Sequence, residues 1–196
     1  ALFFCGMFFW QYQVQPLKEN AAIGVGKFLA EQGECSEALA KFQGVEPGIQ
    51  TLAAYKELAF VNALSICGSK NPEHIPIYAK MGYAAMHNAT QERPLYTRNW
   101  IFLGQFANLV LEKQQQGVLE MTEKEIQEVR LQRDTAFETA HSLSPKRQEV
   151  YLEWIKSGIV EGDYQDAFLK AETCIALNEN QGACWFLRGV VKIFLG

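Results

Sequence analysis

The sequence predicts an all-α chain, a right-handed α-α superhelix of about nine or ten antiparallel helices. Two observations lead there, and one absence supports them. Tyr151 and Trp185 stand 34 positions apart (185 − 151 = 34), and Gly162 and Gly196 repeat that interval (196 − 162 = 34). From Pro16 onward, apolar residues recur at spacings of three and four, which places them on one side of a helix. No stretch alternates apolar and polar residues with a period of two, so strands are not expected.

Taken in order, residues 1–15 form a segment apart, because positions 1–10 (ALFFCGMFFW) contain no polar residue. A membrane-crossing helix needs about 20 such residues. The run therefore reads as the tail of a longer transmembrane helix or as an apolar helix packed on the rest. Trp10 and Tyr12 at its polar end suit an interfacial aromatic belt. It has neither an initiating methionine nor a basic leader, so it is not an intact secretory signal.

The helical-repeat domain is expected over 16–196. Pro16 suits a first helical turn, where its missing N–H costs nothing. Leu17, Ala21, Gly24, Phe28 and Leu29 give that helix its apolar face, and Gly33 ends it. Ser36 is placed to cap a helix over 37–43, and 44–48 (GVEPG) is a turn. A long amphipathic helix follows over 49–66, using Leu52, Tyr55, Ala59, Leu64 and Ile66, and 68–72 (GSKNP) breaks it. Pro76 opens a helix to about Ala89. Another starts at Arg93-Pro94, runs through Trp100, Leu103, Phe106, Leu109 and Val110, and stops near Gly117. Thr122 and Glu125 form a capping-box pattern for the helix through Ile126, Val129, Arg133 and Phe137, which ends at Ser144-Pro145. Three regular helices complete the chain, over 145–161, 163–177 and 181–195.

The 34-residue period, with an aromatic early in one helix, a glycine turn and small residues in the next, resembles the tetratricopeptide repeat (TPR). Tyr151, Trp154, Gly162, Tyr164, Ala167, Ala171, Cys174 and Leu177 supply one unit, and Trp185, Gly189 and Gly196 begin the next. Phe137, Ala140 and Pro145 fit a second helix of such a unit, while Trp100, Leu103 and Gly104 fit a first. From Trp100 to Tyr151 is 51 positions (151 − 100 = 51), so the helices of that unit are elongated. The register is regular from about 137, loose over 17–94, and cut within a repeat at Gly196. The expected packing residues are Trp100, Gly104, Tyr151, Gly162, Tyr164, Ala167, Trp185 and Gly189.

A second resemblance rests on order. The aromatic apolar run leads into 12–18 (YQVQPLK) and Ala21-Ala22; 140–149 (AHSLSPKRQE) and Gly162-Asp163-Tyr164 with Ala167 follow much later. This is similar to the extracytoplasmic carboxy-terminal tail of bacterial O-antigen ligase/polymerase-type membrane proteins. The resemblance implies an accessory module beside the membrane of a bacterial envelope, facing a protein or peptide partner or a glycan acceptor. That family's catalytic residues sit in membrane loops absent here, so none transfers.

Composition narrows the alternatives. At 48% hydrophobic residues the chain is globular, and a net charge of −4 with no basic stripe gives no broad attraction to nucleic acid. The contiguous basic pair is Lys146-Arg147. Cys5, Cys35, Cys67, Cys174 and Cys184 are odd in number and lack Cys-x-x-Cys spacing. They are expected to be free, buried packing residues, with a Cys174–Cys184 disulfide as the alternative. No metal or other cofactor is expected, because no histidine accompanies them at ligand spacing.

Catalytic motifs do not emerge. Gly24-Val25-Gly26-Lys27 has one residue between its glycines and no preceding strand, unlike a phosphate loop. His74, His87 and His141 are scattered and form no ligand pair. Asn88-Ala89-Thr90 fits a glycosylation acceptor, though it falls at a helix end. Glu120, Glu123, Glu125 and Glu128, with Lys124, Arg130 and Arg133, read as a solvated helix face. The chain therefore reads as a non-catalytic interaction module. Its expected binding face is the concave one, reached by Arg147, Gln148, Tyr151, Lys156 and Arg188. Its rivals are a soluble cytoplasmic or extracellular scaffold, and a self-assembling repeat protein whose apolar ends join copies into oligomers or filaments.

Overall fold

A computed structural model of the chain describes residues 10–46 and 50–196. Apart from Trp10, the apolar run therefore lies outside the described residues. Nine α-helices make up almost all of what is described, with no strand among those residues. They form two compact units, Ala1–Pro94 and Leu95–Gly196.

In the first unit a π-helical turn, Trp10–Val14, runs into α1 (Gln15–Gln32). Pro16 lies in the first turn of α1, and Gly33, with φ 91°, closes it. The N–H of Gly33 reaches Ala30 O, and that of Glu34 reaches Leu29 O, which satisfies carbonyls that a helix end leaves open. Helix α2 (Cys35–Gln43) starts two residues before the sequence suggested, with Glu34 rather than Ser36 at its cap. Helix α3 (Gln50–Lys70) continues through Gly68, where an added Cβ would meet Ile75 and Tyr78 at ordinary contact distance. A 3-10 turn, Pro72–His74, leads into α4 (Ile75–Glu92). Helix α1 packs on α2 and α3, and α3 on α4.

One expectation about this unit is reversed. Of the predicted apolar face of α1, Leu17, Ala21, Gly24 and Phe28 are exposed and Leu29 is half-buried. Glu19, Ile23, Gly26 and Ala30 are buried instead. The cause is close packing. A Cβ at Gly26 would lie 2.8 Å from the Phe42 ring, so the glycine lets α2 approach on that side. Helix α1 is apolar on two sides, so periodicity alone could not choose between them.

In the second unit, α5 (Thr97–Gln115) and α6 (Glu123–Leu143) have 19 and 21 residues, against 14 each for α7 (Gln148–Glu161) and α8 (Tyr164–Leu177). The elongated unit inferred from the 51-residue interval is thus seen directly. Helix α5 starts at Thr97 rather than at Arg93. The predicted capping box is present: Glu125 N–H donates to Thr122 Oγ1 at 3.3 Å, and Thr122 N–H donates to the Glu125 carboxylate at 2.7 Å. Helix α9 (Gly182–Leu195) ends the chain. Successive helices pack on each other, and α5, α7 and α9 also touch in series. Short connections make such neighbours antiparallel. The first helices of the pairs therefore form one layer.

The cysteine expectation also needs correction. Cys174 and Cys184 are bonded, joining α8 to α9 with Cα atoms 5.9 Å apart. Cys35 and Cys67, which the sequence did not pair, join α2 to α3 at 5.7 Å. Both separations lie in the usual disulfide range. Cys35 and Cys67 are 32 positions apart, and only the folded helix pair brings them together. Cys5 lies outside the described residues.

Candidate interaction face

The expected binding residues all fall in the α7–α9 region. Arg147 is the N-cap residue of α7, and its guanidinium donates to Glu149 at 2.6 and 3.0 Å. Gln148 turns toward α8: its amide nitrogen donates to Cys174 O at 2.9 Å and Asn178 O at 3.3 Å. It thereby satisfies carbonyls at the C-terminal end of α8. Tyr151 is 8% exposed and belongs to the core of α7, α8 and α9. Its ring meets His141 edge-on, and its hydroxyl donates to Pro145 O at 3.3 Å. Burial raises its pKa above the ordinary phenol value. Lys156 is half exposed and pairs with Glu153 at 2.6 Å. Arg188 pairs with Glu172 of α8.

Each of these five residues already has a partner within the unit. Arg147 and Lys156 are held by neighbours on α7, Gln148 and Tyr151 are engaged in packing, and Arg188 belongs to the α8–α9 seam. Around Arg188 lies a cluster the sequence reading did not assemble. Its guanidinium carbon is 5.7 Å from the Phe168 ring centre and 5.2 Å from that of Trp185. Lys192 Nζ lies 5.7 Å from the same Phe168 ring. Tyr164 stacks on Phe194 at 4.7 Å with an interplanar angle of 5°. Cations over aromatic faces are attracted by the ring quadrupole. The missing signal was two helical rows, Tyr164, Phe168 and Glu172 on α8 and Trp185, Arg188 and Lys192 on α9.

The outer side of α9 is apolar and open. Phe186 is 70% exposed and Ile193 80%. Trp185 is half exposed, and its indole N–H donates to Glu179 O at 2.8 Å. Gly189 lies on the same open side, with nothing within 4 Å of a Cβ built there. Gly104 differs: a Cβ there would meet the buried Phe137 ring at 2.4 Å. Gly162, with φ 78°, closes α7, and Ala167 packs against Gly158. Trp100 packs beside Ile101, Ala140 and Val150.

Arg133 is almost fully buried and bridges α6 to α7. It pairs with Asp134 at 2.7 Å and with Glu161 at 2.8 Å, and Arg130 reaches Glu161 at 3.3 Å. Burial pulls the Arg133 pKa down, but hydrogen bonds to Glu161 and Asp134 more than reverse this and leave it raised. The network is a clamp between α6 and α7. No group of three or more His, Cys, Asp or Glu residues suited to a metal occurs among the described residues.

Helix pairs, a layer of first helices and glycine contacts are the features of a TPR-like helical-repeat fold, and comparison with known structures agrees. The chain is similar to a thermophilic TPR protein from Thermus thermophilus, with TM-score 0.60 and 13% identity over 91% of this chain and 83% of that one. No protein-family model and no curated protein sequence matches.

Proposed function

We propose that the chain is a non-catalytic protein-interaction module that grips a polypeptide along α9 and the α8–α9 seam. The observation behind this reading is the open apolar side of α9, with Phe186 and Ile193, beside the Trp185–Arg188–Phe168–Lys192 row. Exposed aromatic side chains of this kind are typical anchors of protein interfaces. Helical repeats commonly bind partners on such extended surfaces. The cationic row favours a partner segment carrying both apolar side chains and carboxylates.

The setting we infer is the extracytoplasmic side of a bacterial envelope, as the accessory tail of a glycan ligase- or polymerase-type membrane protein. The order of the amino-terminal run, the 140–149 segment and the Gly162-Asp163-Tyr164 motif supports the family. The Cys35–Cys67 and Cys174–Cys184 disulfides support the compartment, since such bonds persist where conditions are oxidising.

The test is peptide selection against the whole chain from a displayed random library, followed by affinity measurements on Phe186→Ala, Ile193→Ala and Lys192→Ala proteins. Each of the two apolar truncations is expected to weaken selected peptides about tenfold or more. Peptides that bind all three variants as tightly as the parent would place the interaction site elsewhere.

A further inference from the structure

The other unpartnered surface lies on α1, in the first unit. Its buried side is Glu19, Ile23, Gly26 and Ala30. Opposite them, Leu17, Ala21, Gly24, Val25 and Phe28 follow one another along the exposed side. Leu17 is 67% exposed, Phe28 58% and Val25 44%, and Trp10 and Tyr12, about half exposed, lie just before the helix start. Ordinary globular helices turn polar residues to solvent at these positions.

The charges around the strip are one-sided. Between residues 10 and 30 the exposed charge is Lys18, and Lys27 is half-buried. Glu19 sits on the buried side, where the Gln15 amide donates to its carboxylate at 2.9 Å. The first exposed carboxylate on the helix is Glu31, at its far end. Lys18 Nζ rests 4.5 Å over the Trp10 ring. Trp, Tyr and Lys at one end of an apolar strip are the residues that settle at the headgroup level of a bilayer. A second copy of α1 would bring little negative charge to meet these lysines, whereas anionic headgroups would supply it along the whole strip. No described helix is long and apolar enough to cross a membrane. The 18 residues of α1 carry four charges, so the geometry suits a helix lying on a surface.

We propose that the outer side of α1 rests on an anionic phospholipid bilayer. Leu17, Val25 and Phe28 enter the acyl boundary, and Trp10, Tyr12 and Lys18 sit among the headgroups. This goes beyond the reading of the α9 face, because it concerns a different surface on the other compact unit.

The experiment is co-sedimentation of the whole chain with vesicles of phosphatidylglycerol and phosphatidylcholine in equal parts, against vesicles of phosphatidylcholine alone. Binding is expected to be about tenfold tighter to the anionic vesicles and to weaken as salt is raised. A Leu17→Ser/Phe28→Ser protein is expected to lose at least about tenfold of that binding, and Lys18→Glu about fivefold or more. All three side chains are solvent-exposed, so unchanged circular dichroism and melting confirm folded variants. Equal binding by parent and Leu17→Ser/Phe28→Ser proteins would overturn the proposal, as would no binding to either vesicle. A concentration-dependent oligomer dissolved by the same double substitution, without vesicle binding, would assign the strip to a second copy and equally overturn it. A Phe186→Ala/Ile193→Ala protein is expected to keep full vesicle binding, so failure here and failure of the α9 reading are separate results.

Discussion

The two compact units solve the same packing problem with the same devices. In the first, Gly26 admits the Phe42 ring between α1 and α2; in the second, Gly104 admits the Phe137 ring between α5 and α6. Each unit also fastens two consecutive helices with a disulfide. Each also leaves one side of a helix apolar and open, α1 in the first and α9 in the second, and they part on the helices beside it. Helices α6 to α8 cover their outward surfaces with ion pairs such as Arg130–Glu161, Lys156–Glu153 and Lys170–Asp166. The interior rules are therefore shared, and what each unit does is set by the side it leaves uncovered.

The disulfides give the largest expected effects and compare the units directly. In the chain-entropy account, a crosslink stabilises more when it closes a longer loop. Cys35 and Cys67 are 32 positions apart and Cys174 and Cys184 only 10. Replacing the first pair by alanine should cost about 4 kcal/mol, and the second about 3 kcal/mol. Urea unfolding of the two double variants would measure this. A larger loss from the Cys174/Cys184 change would show that the crosslink holds α9 in place by more than loop closure.

Next come the glycines. Gly104→Ala forces the fully buried Phe137 ring to move, and after allowing for alanine's better helix propensity should cost about 2 kcal/mol. Gly26→Ala meets the Phe42 ring at 2.8 Å rather than 2.4 Å and should cost less. Thermal melts of both proteins would test the ranking. Equal losses would mean that the two helix pairs are equally tight, against the contact distances.

These packing differences explain what the sequence could tell. In the second unit the repeat was legible because α7 and α9 have equal length and Tyr151 and Gly162 recur 34 positions on as Trp185 and Gly196. In the first unit α1 has 18 residues, α2 has 9 and α3 has 21, and no constant period survives. The α1 helix was legible from Pro16 and Gly33, but its buried side was not, because the choice depends on the fit of Gly26 against Phe42. Among the candidate site residues, Lys156 and Arg188 were legible as cations on first helices. The engagement of Gln148 with the end of α8 was not, since its partners lie 26 and 30 positions away. Nor was the α8–α9 seam, which exists only once two helical rows are set side by side.

A smaller effect separates the units by pH. Glu57 on α3 lines a small hollow with Phe42, Gln43, Lys56 and Phe60. Burial raises its pKa above the ordinary 4.5, and Lys56 only partly offsets this. A carboxyl with a raised folded-state pKa favours folding at acid pH, and that contribution is lost as pH rises past its folded value. Glu57→Gln should therefore raise the melting temperature at neutral pH, with the gain vanishing as the pH falls below about 4. A gain that persists undiminished in acid would point to packing rather than ionisation.

The smallest effect is also a gain in stability. Gly189 and Gly104 were both read as tight packing glycines, yet only Gly104 has a ring against it. Gly189 faces open space on the exposed side of α9, so alanine there adds helix propensity without a clash. Gly189→Ala should stabilise the chain by about 0.5 to 1 kcal/mol, measured by urea unfolding at low protein concentration. If it destabilises instead, a neighbour must already lie within reach of that position. Repeating the measurement across protein concentration would then show whether the neighbour is a second copy. A loss that appears only in concentrated protein would mean that the open side of α9 is covered by self-association, and the peptide reading of that face would fall.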